Sequence, residues 1–572
     1  MGDKWNTLSH NGVLFPSEYE HQNYPVLVCD KEYHLSKEAE EVAVMWAQKL
    51  ETVYVKDKTF QKNFWLDFKA FLPKELQETK FPENWDMTKI YSALQKKKEE
   101  KKIKTKEERE FEKKEKDAIK NHFGFATING QKVPLGNYMV EPPGLFMGRG
   151  KHPLRGRVKS RIYAEQITLN MSKDAPHPPA PKGHKWLRIV ENKNALWTAM
   201  WVDPLTGKQK RVLFSPVSFV RQGADQKKFS KAIILAQNFD EVNKFIEKKL
   251  KSSDSLTREL ATACNIIAKL TIRVGDEKDE DEADTVGCTT LRYEHIKIDG
   301  NNVEFDFLGK DSVRYHNVVW FDPYMISNLR ELMQGKKKGD MIFSRINSHD
   351  VNEFLSIVIP GLSAKQFRTA TGSKLLAEEL RQKSVPSDMK EIKKIEAYNE
   401  ANLEVALKLN HQSAVSEAYD KSLDNMKATL IELKKELKEM RAEYDSVEAS
   451  EKKSRDERVA YAKEKYTGDR QKDSIRRAKD TYSKNMEKVE KRLERIRERV
   501  ETLTTKIKMK EKTKGVALGT SKTNYSDPRI GISWCKKNGV PVERLYTKTL
   551  LEKFSWAQDV EPDFYEKYPE VD

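Results

Sequence analysis

Apolar and polar positions fall into distinct regimes along the chain. Residues 1–90 interleave aromatics, prolines and short apolar runs such as VLVCD and FWLDFKAFL, the pattern of a packed segment. Between Lys96 and Lys120 the apolar positions thin out, Gly and Pro vanish, and Glu and Lys recur at helical spacing. That predicts one continuous, solvated, charge-laced helix. Strand and turn chemistry returns over 121–220. Asn129-Gly130 is a two-residue hairpin signal. EPPGLFMGRGKHPLRGRVKSRI and PHPPAPKGHKW are Gly/Pro-rich basic loops, and LWTAMWVDPLTGKQKRVLF alternates as a hairpin around a Pro-Leu-Thr-Gly turn. Residues 221–415 read as helical with one β insertion, LRYEHIKIDGNNVEFDFLGKDSVRYHNVV.

The stretch 420–510 has no Pro, and Gly468 is its only Gly. Leu423, Met426, Leu430, Leu433, Leu437, Met440 and Tyr444 form one apolar stripe; Met486, Val489, Leu493, Ile496, Val500, Leu503 and Ile507 form another. Both have the 3.5-residue period of a coiled-coil seam. Two stripes joined by a polar segment predict an antiparallel helical hairpin, with a parallel dimer as the rival pairing. Residues 515–572 are compact and aromatic in character.

Charge changes the picture. The 572 residues carry 105 Lys and Arg against 89 Asp and Glu, a net +16, and 34% are charged, above the ~25% usual for soluble domains. Yet 10 Trp, 20 Tyr and 23 Phe exclude a wholly disordered chain. A pI near 9.2 points to a polyanionic partner, most often nucleic acid. A ribosome-like or cytoskeletal basic protein is the alternative. On the nucleic-acid reading, the charged helix becomes a basic finger reaching toward DNA. No run of ~18 apolar residues exists, and the N-terminus lacks an apolar signal-peptide core and a myristoylation pattern. Cys29, Cys264, Cys288 and Cys535 have no C-x-x-C spacing. The expectation is a reduced intracellular protein without membrane, zinc or disulfides. The segment ending in Gly150-Lys151 is not a P-loop, and no H-E-x-x-H or EF-hand loop occurs. The acidic run 275–284 could attract a cation but reads more readily as a solvated loop, and the Asn170-Met171-Ser172 glycosylation pattern as unused.

A basic protein without a nucleotide or metal motif can still act on DNA by phosphoryl transfer through its own nucleophile. That chemistry needs an attacking oxygen, cationic donors for the non-bridging oxygens and an acid for the leaving oxygen. Arg suits the grip because its planar fork holds two oxygens without losing charge. Lys suits the acid, since neighbouring cations lower its pKa, and Tyr can attack when positive charge stabilises its phenolate. In chain order the sequence holds Arg273 in AKLTIRVGDEK, Lys310 in FDFLGKDSVRY, Lys365-x-x-Arg368 in LSAKQFRTATGS, His411 in LKLNHQSAV and Tyr525 in LGTSKTNYSDPRI. With EPPGLFMGRGKHP, KDAPHPPAPKGHKW, ADTVGCTTLRYEHI and SWCKKNGVP, this order resembles the eukaryotic type IB DNA topoisomerases over nearly the whole chain.

The resemblance implies a multidomain α+β fold: a two-lobed DNA clamp, a mainly helical tyrosine-recombinase-like catalytic domain, a coiled-coil linker hairpin and a small helical C-terminal domain. The implied divisions are 1–18 with 106–213, 19–105, 214–415, 416–512 and 513–572. Tyr525 would form a 3′-phosphotyrosine, Arg273 and Arg368 would grip the phosphate, His411 would donate to it, and Lys310 would protonate the 5′ oxygen. Relaxation would need neither ATP nor a metal, and no cofactor is implied. DNA contacts would come from Arg149, Trp197, Lys210, Arg211, Lys228, Val274, Gly275, Asp276, Glu277, Lys278, Thr285, Ser363, Ala364, Lys365 and Asn524, and, aligned by length only, Lys101. Arg149, Asp311 and Asn524 would line the family's camptothecin pocket. The partner would be duplex DNA of any sequence, the chain a monomer and its location the nucleus. Two departures stand out. The match starts almost at residue 1, without the family's long charged N-terminal region that commonly carries import signals, for which basic runs such as KKKEEKK would be weak substitutes. Met147 stands where the family often has Arg. A tyrosine recombinase and an architectural coiled-coil DNA binder are the competing classes.

Overall fold

The computed structural model describes residues 4–275, 285–413, 415 and 417–570, without the side chains of Asp311 and Glu417. The α+β chain divides into two compact units, Met1–Phe367 with Lys548–Trp556, and Arg368–Thr547 with Ala557–Asp572.

The first unit holds all the described sheets and two separate apolar cores within residues 5–214. One core forms where the helices Lys37–Ala47 and Lys58–Phe68 pack, with Phe60, Phe64 and Phe68 repeating every four residues on one face. Trp46 meets Phe64 at 4.6 Å between ring centroids. Ser36 and Asp57 cap these helices by accepting the N–H groups of Ala39 and Phe60. Met147 packs against this core, which gives an apolar side chain at that position a structural use. The other core gathers Trp5, Leu8, Ile128, Leu169, Trp201 and Phe214. Its sheets pair Leu8–His10 with Phe125–Ile128, and Phe125–Ile128 with Gln131–Pro134. Asn129 and Gly130 take φ of 49° and 78°, the two left-handed residues that a tight hairpin requires. The second expected hairpin is Trp197–Val202 with Gln209–Leu213, its turn closed by Asp203, whose carboxylate accepts from Leu205 and Thr206 N–H.

Two features differ from the pattern reading. The charged segment is two helices, Thr88–Lys102 and Lys106–Phe123. The break is chemical: Thr105 Oγ1 accepts the Glu108 N–H while Glu108 Oε2 accepts the Thr105 N–H, a capping box that starts a new helix. The strands Arg188–Val190 and Thr168–Asn170 pair in parallel, which alternation alone does not reveal. Asn170 is fully buried, its amide bonded to Asn192 and Trp197, so that glycosylation pattern is inaccessible. The β insertion is a three-stranded antiparallel sheet, Ile296–Asp299, Asn302–Gly309 and Val313–Trp320, as alternation predicts.

The second unit is helical. Its longest elements, Glu417–Lys465 and Gly468–Lys512, form the expected antiparallel hairpin, about 70 Å long at 1.5 Å per residue. Every position of both predicted stripes is buried or half-buried. The cross-helix pairs Glu451–Asn485, Glu443–Arg492, Glu436–Arg499 and Lys427–Glu511 fall in reverse order, which excludes a parallel pairing within the chain. The tip is at Tyr466-Thr467, where Gly468 takes φ +62°. Among the described residues no helix is long and apolar enough to cross a membrane.

His10 yields a test of the first unit. It is 6% exposed; Nε2 donates to Asn170 O at 3.2 Å and Nδ1 accepts the Gly12 N–H, so the ring is neutral. Burial pulls its pKa from 6.5 to about 4. The unfolded chain binds the proton first, so this stability is full above pH 6.5 and is lost as pH falls toward 4. The loss is about 2 kcal/mol by pH 5. Thermal melts at pH 7 and pH 5 should therefore differ less in His10→Gln than in the wild type.

Candidate active site

Arg368, His411 and Tyr525 come together within the second unit, and each is placed by a helix end or a helix face. Arg368 lies one turn after Lys365 on the helix Ala364–Gln382. The start of that helix is held by Asn352 Oδ1, which accepts the Ala364 N–H, and by Gln366 Oε1, which accepts from Ser363. His411 follows the helix Glu391–Lys408. Asn410 takes φ +53° and donates its N–H to Leu407 O, while the His411 N–H reaches back to Ala406 O. This pair of bonds is a Schellman motif, and it turns the chain so that the next residue leaves the helix axis. Gln412 and Ser413 then bridge to Val516 and Gly515, and Ala517 N–H bonds His411 O, tying the histidine to the segment that precedes the nucleophile candidate.

Tyr525 ends the helix Leu518–Asn524. Its N–H and that of Ser526 both bond Ser521 O at 2.9 Å. Asp527 caps the next helix, Pro528–Asn538, with Pro in the first turn where its missing N–H costs nothing. Ser373 Oγ donates to Tyr525 O at 3.2 Å and accepts the Asp527 N–H at 2.9 Å. Ser373 and its neighbour Gly372 lie on the helix that carries Arg368. A Cβ on Gly372 would stand 3.1 Å from Tyr525 O and from Leu409, so a residue without a side chain suits this close approach.

The three side chains meet closely. Arg368 Nη2 donates to Leu409 O at 2.8 Å and lies 3.3 Å from His411 Nε2. The guanidinium carbon is 4.8 Å from the Tyr525 ring centroid. The His411 ring stacks on Tyr525 at 5.0 Å and 28°, and His411 Nδ1 bonds Ser521 Oγ at 2.9 Å. Arg368 and His411 are 5% and 6% exposed, whereas Tyr525 is half-buried. A buried cation beside a half-buried tyrosine can stabilise an anion that approaches it. Sequence reasoning named these three but missed Gly372, Ser373 and Ser521. Gly372, four residues after Arg368, shares its helix face, but no local pattern singles out any of the three.

Arg273 and Lys310 lie in the first unit. Thr271, at φ +53°, ends the helix Ser255–Leu270 and leads into exposed Arg273. Arg273 O and Val274 O accept from Cys288 and Thr289 N–H, and Gly275 packs so tightly on Gly287 that a Cβ on Gly287 would clash with its Cα. Thr285 is buried nearby in sequence. Lys310 is exposed at the tip of the hairpin formed by Asn302–Gly309 and Val313–Trp320. Ser312 at that tip abuts Gly150, where a Cβ would clash with Ser312 Oγ. The tip and the loop bearing exposed Arg149 are therefore neighbours.

The remaining expected contacts vary in exposure. Lys101, Arg211, Lys365 and Asn524 are exposed, Ser363 is half-buried, and Ala364 and Trp197 are buried. Lys210 pairs with Glu141 at 3.4 Å, and Lys228 with Asp225 at 3.8 Å. Asp276, Glu277 and Lys278, and the Asp311 side chain, lie outside the described residues. Among the described residues no His, Cys, Asp and Glu cluster could hold a metal ion.

Comparison with known proteins supplies the context. Residues 3–214 match the family described as eukaryotic DNA topoisomerase I, DNA binding fragment. Residues 217–444 match eukaryotic DNA topoisomerase I, catalytic core, and 497–566 match the C-terminal topoisomerase domain. DNA topoisomerase 1 alpha of Arabidopsis thaliana is 38% identical over 564 residues, 98% of this chain and 59% of that protein. DNA topoisomerase 1 of Drosophila melanogaster is 36% identical, covering 99% of this chain and 55% of its own length. DNA topoisomerase 1 of Homo sapiens is 36% identical over 577 residues, 99% of this chain and 72% of that protein. The chain thus spans somewhat over half of the plant and fly relatives.

The helix end before His411 is open to test. Asn410→Gly should retain the thermal midpoint, whereas Asn410→Ala should lower stability by about 1 kcal/mol, because alanine keeps the Cβ but loses the short polar side chain that lets asparagine adopt the left-handed backbone. Melts of the two variants beside the wild type measure this.

Proposed function

The chain belongs to the eukaryotic DNA topoisomerase I family, and we propose that it relaxes superhelical duplex DNA as a type IB enzyme. The observation that carries the reading is the packing of Arg368, His411 and Tyr525 around one phenol. Tyr525 Oη attacks the scissile phosphorus and its proton passes to water. The phosphorus to 5′-oxygen bond breaks, leaving the 3′ phosphate on tyrosine and a 5′ hydroxyl that takes its proton from Lys310. Arg273 and Arg368 bind the non-bridging oxygens as charge builds, and His411 donates to one of them. The tyrosyl ester retains the phosphodiester energy, so resealing uses no ATP. While it persists, the free end rotates and superhelical strain is released.

The rest of the chain serves enclosure. Residues 1–18 with 106–213 and residues 19–105 would be the two lobes of a clamp, in keeping with the two separate cores. Residues 214–415 would be the catalytic domain, 416–512 the linker and 513–572 the nucleophile-bearing domain. Lys101, Arg149, Trp197, Lys210, Arg211, Lys228, Val274, Gly275, Asp276, Glu277, Lys278, Thr285, Ser363, Ala364, Lys365 and Asn524 would contact DNA, mostly at phosphates. Arg149, Asp311 and Asn524 would line a camptothecin site. The basic faces of the hairpin would brake rotation. The enzyme would act as a monomer in the nucleus on DNA of any sequence.

Plasmid relaxation in EDTA without ATP should proceed in the wild type and stop in Tyr525→Phe; relaxation by that variant would refute the proposed chemistry. Lys310→Ala should slow cleavage by roughly 10²–10³. If 6–10 phosphates are contacted, raising salt from 50 to 200 mM should weaken duplex binding by about 10³ or more.

A further inference from the structure

Ser521 stands where the histidine and the nucleophile turn meet. It is fully buried, on the helix Leu518–Asn524. Its carbonyl takes the N–H groups of Tyr525 and Ser526, and its hydroxyl is 2.9 Å from His411 Nδ1. The other ring nitrogen, Nε2, is 3.3 Å from Arg368 Nη2. A guanidinium nitrogen donates and never accepts, so this contact makes Nε2 the acceptor. The ring proton then sits on Nδ1 and is donated to Ser521 Oγ. This is opposite to what the reaction asks, because Nε2, the nitrogen beside Arg368, must carry a proton to donate to a phosphate oxygen.

From this geometry we infer that Ser521 is a positioning residue that partners His411 Nδ1 in either tautomer and so allows the ring proton to change nitrogens when phosphate arrives. A serine hydroxyl can accept from Nδ1–H or donate to bare Nδ1. In the DNA-free state it accepts. When a phosphate oxygen displaces the Arg368 contact, Nδ1 loses its proton to water, Nε2 takes one from water, and the hydroxyl turns to donate to Nδ1. The ring is satisfied at both nitrogens in both states, without carrying a buried positive charge beside Arg368. The inference deepens the proposed reaction and rests on His411 acting in it.

The test reads the ring directly. In full-length protein labelled with ¹⁵N-histidine, the imidazole signals that vanish in His411→Gln belong to His411. Without DNA they should report a proton on Nδ1, and Ser521→Ala, which removes the hydroxyl but keeps the Arg368 contact, should shift that Nδ1 signal while the proton stays in place. On a suicide duplex oligonucleotide, Ser521→Ala should cleave about tenfold more slowly in single turnover, and Ser521→Thr, which keeps the hydroxyl, should restore both readouts. A wild-type ring protonated at Nε2, or a Ser521→Ala protein with unchanged Nδ1 signal and cleavage rate, overturns the inference. The tautomer is read without DNA, so it stands or falls separately from relaxation by Tyr525→Phe, which decides the function itself.

Discussion

A buried guanidinium organises this structure's chemistry. Arg368 is held at once by the carbonyl that ends one helix, by the histidine that follows it and by the face of a tyrosine more than 150 positions later in the chain. Taking a charged group out of water costs several kcal/mol unless its surroundings return most of it. Here a carbonyl dipole and an aromatic face do so in part, and the same desolvation makes the cation a stronger ligand for an incoming anion. Moving any of the three supports would spoil the others.

The supports are mostly backbone devices. A left-handed Asn410 redirects the chain before His411, the end of the Leu518–Asn524 helix presents Tyr525, and one serine hydroxyl bridges the backbone on either side of Ser526. Helix ends serve this purpose well because their unsatisfied N–H and C=O groups must find partners, and those partners fix the direction of the residues that follow. Ser521 and Ser373 thus act on the site through what they hold, and neither needs to touch a substrate.

How much of this could be read from the chain depends on the range of the interaction. The hairpin arms were fully legible, since Leu433, Met440, Leu493 and Ile496 repeat at the seam period and bury where expected. The Asn129-Gly130 turn was legible for the same local reason. The break at Thr105 was present as a capping box, but a strong run of charge at helical spacing masked it. The parallel pairing of Arg188–Val190 depends on contacts that no local pattern encodes. At the site, resemblance named Arg368, His411 and Tyr525. Gly372, Ser373 and Ser521 are small residues whose value lies only in who their neighbours are, and composition or periodicity cannot single them out.

The claim on which everything turns is that one phenolic oxygen takes the DNA strand. The direct measurement is to quench a cleavage reaction with denaturant, digest the adduct and locate the nucleotide by mass spectrometry. The account predicts a single modified peptide containing LGTSKTNYSDPR, with the phosphate on Tyr525 and linked to a 3′ end. A nucleotide on any other side chain, a 5′ linkage or no adduct at all would contradict it.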